Sequence, residues 1–359
     1  METKEFDGMK KSFINPVAWG SESLLTQGFA GKAFTMAEIL LSLTIIGVVA
    51  AITLPSLMGN INERTWNTQR KALHARMSQA IAMMPQLNGY GTYAIDADGS
   101  VTADTAAEAF LTEGLSKVLK INNICDNEHL ADCGLPTSIN VGLTSIHPAL
   151  GDINSTSINF PTKLSELNST LYYNRNYKGP KIDFKAAAFE TQNGESIAVF
   201  YNPNCQVKPE MFGVQDSFYL QDKMCANFVV DLNGDKGPNI AGKDISFMTA
   251  FYSDEPVVVA PKPRWETGGF DYPDSALKAC AKFDSTTRLP NKEEMSAIIL
   301  NHKGYGLDTG AGYWALPIKM NTFDYGTGAF TELSGGVVDV FGSVRIEAYI
   351  DWCYLCVDR

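Results

Sequence analysis

From Phe34 the chain is almost wholly apolar for about 20 residues (FTMAEILLSLTIIGVVAAITLPSL), long enough for a bilayer-spanning helix. Beyond Pro55 the pattern becomes amphipathic. Leu57, Ile61, Leu73, Met77 and Ile81 recur at multiples of four, with Arg64, Arg70, Lys71 and Arg76 between them. A long helix over 34–87 follows, closed by Pro85 and then Asn88-Gly89. From 88 to 255 turns alternate with short β-branched and aromatic runs. Ser196–Tyr201, Ala226–Val230 and Ile245–Tyr252 read as strands, and Ala106–Leu119 as a helix. Pro256, Pro261 and Pro263 mark a stiff linker over 256–264. Residues 265–359 form a further region. Its helices are Ala276–Phe283 and a second one ending near Asn301, with Asn291 as N-cap and Glu294 three residues later in a capping box.

Composition narrows the function class. A net charge of −11 argues against nucleic acid as the main partner, because phosphate binding needs clustered Lys and Arg. All seven cysteines (Cys125, Cys133, Cys205, Cys225, Cys280, Cys353 and Cys356) fall after the apolar run, as suits a body exported to an oxidising compartment. Cys125 with Cys133, and Cys205 with Cys225, are candidate disulfides, although spacing alone leaves connectivity open.

Glu38 is the one ionisable group in the apolar run. A carboxylate in hydrocarbon costs on the order of 2.5–3.5 kcal/mol unless it is paired or near the interface. An ordinary secretory signal has a shorter apolar core and a following A-x-A site, which this chain lacks. The stretch from Gly31 to Leu57 resembles the signal of type IV prepilins and type II secretion pseudopilins, in the variant A-F-T-L-A-E-x-L-I. The resemblance implies a leader over 1–33, cut by a prepilin peptidase between Ala33 and Phe34, with N-methylation of Phe34. Glu38 becomes the fifth mature residue (38 − 33), where the family's Glu pairs with a neighbouring subunit's new amine and sets the assembly register. Pro55 occupies a position where many pilins carry a helix-kinking Pro.

The run from Val230 to Ile245 (DLNGDKGPNIAGKD between them) has two readings. Asp231, Asn233 and Asp235 alternate as oxygen ligands do at the start of a calcium loop, and Asp244 completes a set. It is not an EF-hand, since Lys236 and Gly242 stand where Gly and a bidentate Glu are needed. The favoured reading is an Asx/Gly turn between strands, and the calcium loop is the second. The run is similar to one found in many prepilin-type proteins.

The final region, from Ala276 through Arg288-Leu289-Pro290, Glu294-Met295 and Tyr313-Trp314 to Cys356-Val357, resembles the Lcl C-terminal domain family, whose fold looks like that of C-type lectins and sulfatase-modifying factors. That framework implies a Cys280–Cys356 disulfide, with Cys353 the odd thiol. Catalytic signatures are missing: the Cys353-x-x-Cys356 pair lies at a β-like chain end rather than at a helix N-terminus, and His74, His129, His147 and His302 show no ligand spacing.

The expected fold is α+β: a long N-terminal hydrophobic helix packed on an antiparallel-sheet pilin head (88–255), plus a C-terminal α+β C-type-lectin-like domain (265–359). The expected role is a non-enzymatic minor pilin, inserted in the inner membrane as a single-pass precursor and then assembled into an extracytoplasmic filament. It needs no cofactor beyond the calcium of the second reading. Its implied partners are other pilin or pseudopilin subunits, the prepilin peptidase, the inner-membrane assembly platform, and a surface or glycan ligand for the last domain. The alternatives are a secretion pseudopilin and a membrane-tethered envelope enzyme.

Overall fold

The apolar run and the stripe beyond it form one helix, α1, over Met36–Asn88. The computed structural model describes residues 35–88, 105–141, 156–167, 184–202, 223–252, 256–266, 280, 287–306, 312–324, 329–339, 344–345 and 353–358. The chain divides into two compact units, Met1–Met58 and Gly59–Arg359.

The described part of the first unit is the start of α1. Met36, Ile39, Leu40, Leu41, Leu43, Ile45, Ile46, Val48 and Val49 are all exposed along it. Among the described residues no helix is long and apolar enough to cross a membrane. The apolar span read from the sequence runs on through 52–57, whose side chains lie outside that description. The helix continues through Pro55. It also continues past Pro85, expected to close it, and ends three residues later at Asn88. A proline removes one backbone donor and crowds the preceding turn, so its cost falls with the single turn that remains.

In the second unit the stripe on α1 becomes a buried face. Leu73, Met77, Ala80, Ile81 and Met84 are between 0% and 3% exposed. Each large side chain so buried contributes roughly 1.5–3 kcal/mol. They pack with Phe110, Leu111 and Leu115 of a short helical stretch, which starts as α2 (Ala106–Ala109) and tightens from a π turn (Phe110–Gly114) to a 3₁₀ turn (Leu115–Lys117). Arg76 ties α1 to the sheet through a 2.5 Å ion pair with the buried Glu195.

The sheet beneath is antiparallel. Its strands are β1 (Ile121–Cys125), β4 (Ala186–Thr191), β5 (Ser196–Tyr201), β6 (Lys223–Asp231), β7 (Ile245–Tyr252) and β8 (Pro256–Val259), adjacent in that order; β2 (Ser138–Val141) and β3 (Thr156–Asn159) pair separately. Alternation along each strand divides the core. Phe189, Ile197, Val199, Tyr201, Phe228 and Met248 face α1, whereas Ala188, Ala198, Phe200, Val229 and Phe247 join a second cluster. Burial on both faces explains why β5 is apolar from Ile197 to Tyr201 rather than alternating.

The second face is covered from two directions. The short helix α3 (Leu164–Leu167) supplies Leu164 and Leu167. The C-terminal region supplies Met295, Ala297, Ile298 and Leu300 of α4 (Lys292–Leu300) and Tyr305 of α5 (His302–Tyr305). The contact is specific. Asn227 on β6 and Asn301 exchange amide hydrogen bonds at 2.7 and 3.0 Å, Thr249 donates to Asn227 Oδ1 at 2.7 Å, and all three are fully buried. Tyr305 stacks edge-on against Phe247 and donates to the Pro261 carbonyl at 3.0 Å. A Cβ on Gly304 would overlap the Phe247 ring, so the close approach of α5 to β7 requires glycine there.

The linker expected over 256–264 therefore separates two sheets but not two cores. The second sheet orders β10 (Thr287–Arg288), β14 (Cys353–Asp358), β11 (Gly312–Asp324), β12 (Ala329–Asp339) and β13 (Val344–Arg345), with β9 (Pro263–Glu266) also paired to β14. The stretch read as a stiff linker holds β8, an edge of the first sheet, and β9. Pro256 and Pro263 each open a strand, a position where the missing N–H costs no ladder bond. The architecture is α+β, as expected.

Candidate functional site

Ala33 and Phe34 lie outside the described residues, but the start of α1 does not. Thr35 and Glu38 form a capping box, T-x-x-E. Glu38 Oε2 accepts the Thr35 backbone N–H at 2.9 Å and its hydroxyl at 3.0 Å, and Thr35 Oγ1 accepts the Glu38 N–H at 3.3 Å. The acid that looked anomalous in an apolar run is thus partnered within its own chain, at the helix end where a carboxylate suits the dipole. Pro55 sits inside α1, with its side chain outside the described set.

The turn between β6 and β7 holds the other candidate residues. Its ends are fixed by the ladder, where Asp231 stands opposite Ile245. Asp231 is fully buried and accepts the Asn233 N–H at 3.1 Å through Oδ1. Burial, with Asp244 and Asp235 nearby, pushes its carboxyl up to about 7, against the Asn233 and Gly234 N–H bonds that hold it down. Asp244, also fully buried, is spent on the backbone: its two oxygens accept the Asn239 and Ile240 N–H groups at 2.7 and 2.8 Å. These bonds hold Asn239 at φ 55, in the left-handed region that Asn tolerates better than most residues. Asp235 is exposed. Asn233 donates to the Lys236 carbonyl, and to that of Gly237 at 3.3 Å. The neighbouring β2 grips the turn: Asn140 donates its N–H to the Asn239 carbonyl at 2.8 Å and its amide to the Pro238 carbonyl at 3.2 Å, and accepts from Ala241 at 3.0 Å.

Three oxygens in this turn have no partner. Asp231 Oδ2, Asn233 Oδ1 and Asn239 Oδ1 are buried and unbonded, and they are the only such side-chain oxygens among the described residues. No family model, no curated protein and no solved structure matches this chain. Of the four expected ligands, Asp231 and Asn233 carry orphaned oxygens, Asp244 shapes the backbone, and Asp235 faces solvent. Asn239 was not anticipated; the signal for it was an Asn after Gly-Pro in a turn too long for a two-residue hairpin. Among the described residues no group of three or more His, Cys, Asp or Glu is placed to hold a metal, and two of the three orphaned oxygens belong to amides.

The remaining candidates resolve as structure. Disulfides join Cys125 to Cys133 and Cys280 to Cys356, as expected. Cys225 is also disulfide-bonded, and Cys205 lies outside the described residues. The R-L-P segment is a clamp. Arg288 makes a bidentate pair with Glu294 at 2.6 and 2.8 Å, while Glu294 and Asn291 complete the expected capping box at 2.9 and 2.8 Å. Glu294 raises the Arg288 guanidinium further above its ordinary range. A groove of about 220 Å³ runs past Arg70, Lys71, His74, Val258, Ala260, Arg288 and Glu294. Arg70 bonds the Ala260 carbonyl at 3.1 Å, His74 lies against that of Val258 at 2.7 Å, and Arg288 is paired with Glu294.

Proposed function

We propose that this chain is a prepilin-like subunit: a non-enzymatic minor pilin, held in the inner membrane by the first part of α1, trimmed between Ala33 and Phe34, and assembled into an extracytoplasmic filament. The observation that carries the reading is Glu38, the one carboxylate in the apolar first part of a helix whose apolar side chains from Met36 to Val49 are all exposed. Such a surface is stable only when lipid or other apolar helices cover it. Once it is covered, a carboxylate needs a cationic partner. Cleavage before Phe34 creates an amine one residue from the Thr35 N–H that Glu38 already accepts. In a filament the same acid pairs with the amine of the next subunit, and the exposed helix faces bury one another. The region beyond residue 260 travels with the head and presents its surface to ligands outside the cell.

The test is Glu38→Ala in cells that carry the assembly machinery. Cleavage proceeds normally, because the peptidase acts before any subunit pairs. Incorporation falls on the order of 100-fold or more, since removing one partner of a buried ion pair costs about 3–5 kcal/mol. Thr35→Ala separates this from simple capping: it removes the side-chain cap, worth about 1 kcal/mol, and leaves the acid in place. Wild-type incorporation of the Glu38→Ala protein, or an equal loss in both variants, overturns the pairing.

A further inference from the structure

Buried polar atoms in folded proteins are nearly always bonded, and a cluster of exceptions asks for an explanation. Here the exceptions share one turn and one chemistry. Asp231 Oδ2, Asn233 Oδ1 and Asn239 Oδ1 are all acceptors with no donor. The donors that might have served them are already committed, the Asn239 and Ile240 N–H groups to Asp244 and the Asn233 amide to two backbone carbonyls. A single water donates to at most two of these three oxygens, whereas one cation can serve all three.

We infer that the β6–β7 turn is a divalent cation site of the calcium class, with Asp231 Oδ2, Asn233 Oδ1 and Asn239 Oδ1 as side-chain ligands and Asp244 as a positioning residue. The donors are oxygens only, which excludes the soft and imidazole-seeking metals as preferred occupants. They come from an irregular turn, and two are neutral amides. That suits calcium, which accepts flexible oxygen shells, better than magnesium, which demands a near-octahedral one. A single carboxylate ligand places the affinity with the weak extracellular modules, at roughly 10⁻⁴–10⁻³ M. The turn is built before the ion arrives. Asp244 fixes Asn239 in its left-handed conformation, and Asn140 holds the Pro238 and Asn239 carbonyls to β2, so little ordering is left for binding to supply. The inference does not depend on the filament reading.

The experiment takes the full chain in detergent, stripped with EDTA, and adds CaCl₂ to about 10 mM. Wild-type protein gains about 5 °C in Tm and shows one-site binding by calorimetry. Asn239→Gly keeps the left-handed backbone, removes one ligand oxygen, and weakens binding at least about tenfold with little change in the metal-free Tm. Asp231→Asn remains folded and loses the calcium response. Two results overturn the inference: no calcium-dependent shift in the wild type, which would leave a bound water as the partner of these oxygens, or an undiminished response in both variants, which would put the ion elsewhere.

Discussion

Replacing Cys280 and Cys356 together by serine is expected to lower the stability of the oxidised protein by about 4 kcal/mol. The bridge joins residues 76 apart in sequence, and loop-closure entropy in the unfolded chain scales with that separation to about 4–5 kcal/mol. The Cys125–Cys133 bridge spans 8, for which the same relation gives about 2–3 kcal/mol. Position adds to the difference. Cys356 lies on β14, opposite Arg264 of β9, and Cys280 is tied by its carbonyl to the Thr287 hydroxyl at the start of β10. Between the two sulfurs lie α4 and α5, which cover one face of the head sheet. Losing the bridge therefore loosens the cover of the main core and not only a peripheral sheet. Urea unfolding of the double variant and of the wild type decides the point. A loss below about 1 kcal/mol would mean that the C-terminal cover is held by packing alone.

The second large effect is a pH dependence. In the metal-free protein Asp231 titrates near 7, raised from an ordinary value of 3.8 mainly by burial. The fold thus holds this proton more tightly than the unfolded chain does. Its contribution is complete below the unfolded pKa and is lost as pH rises through about 7. At about 1.4 kcal/mol per unit, the ceiling on that loss is about 4 kcal/mol. Between pH 5 and pH 8 in EDTA the wild type should lose stability, whereas Asp231→Asn, neutral throughout, should lose much less and be the more stable of the two at pH 8. Parallel pH profiles for the two proteins would show that the carboxylate is solvated and that its burial is not the source of the shift.

What the sequence made legible follows its local patterns. β5 and β7 were visible in full because β-branched and aromatic residues are dense in both. The Leu73, Met77, Ile81 stripe was readable because helical spacing repeats it, and the Asn291–Glu294 box because its two residues sit three apart. The less legible features are those set by distance along the chain. Nothing near Asn301 announces that it will pair with Asn227, 74 positions earlier. The apolar residues of α4 suit any helix, so their place on the head sheet could not be read from them. Pro261 and Pro263 looked like a linker because the pairing that makes β9 a strand comes from β14, near the other end of the region. Glu38 carries a second, local reading. Its price in an apolar run was plain, but the partner three residues back, Thr35, was equally readable and supplies a local reason for an acid at that point.

Pairing by Glu38 requires a free amine at Phe34. Mass spectrometry of the N-terminal peptide, taken from protein recovered from the native envelope, measures it directly. A chain that begins at Phe34 and carries a methyl group on that residue's nitrogen is the predicted result. A chain that still bears Ala33 and the residues before it, with no peptide starting at Phe34, contradicts the assignment.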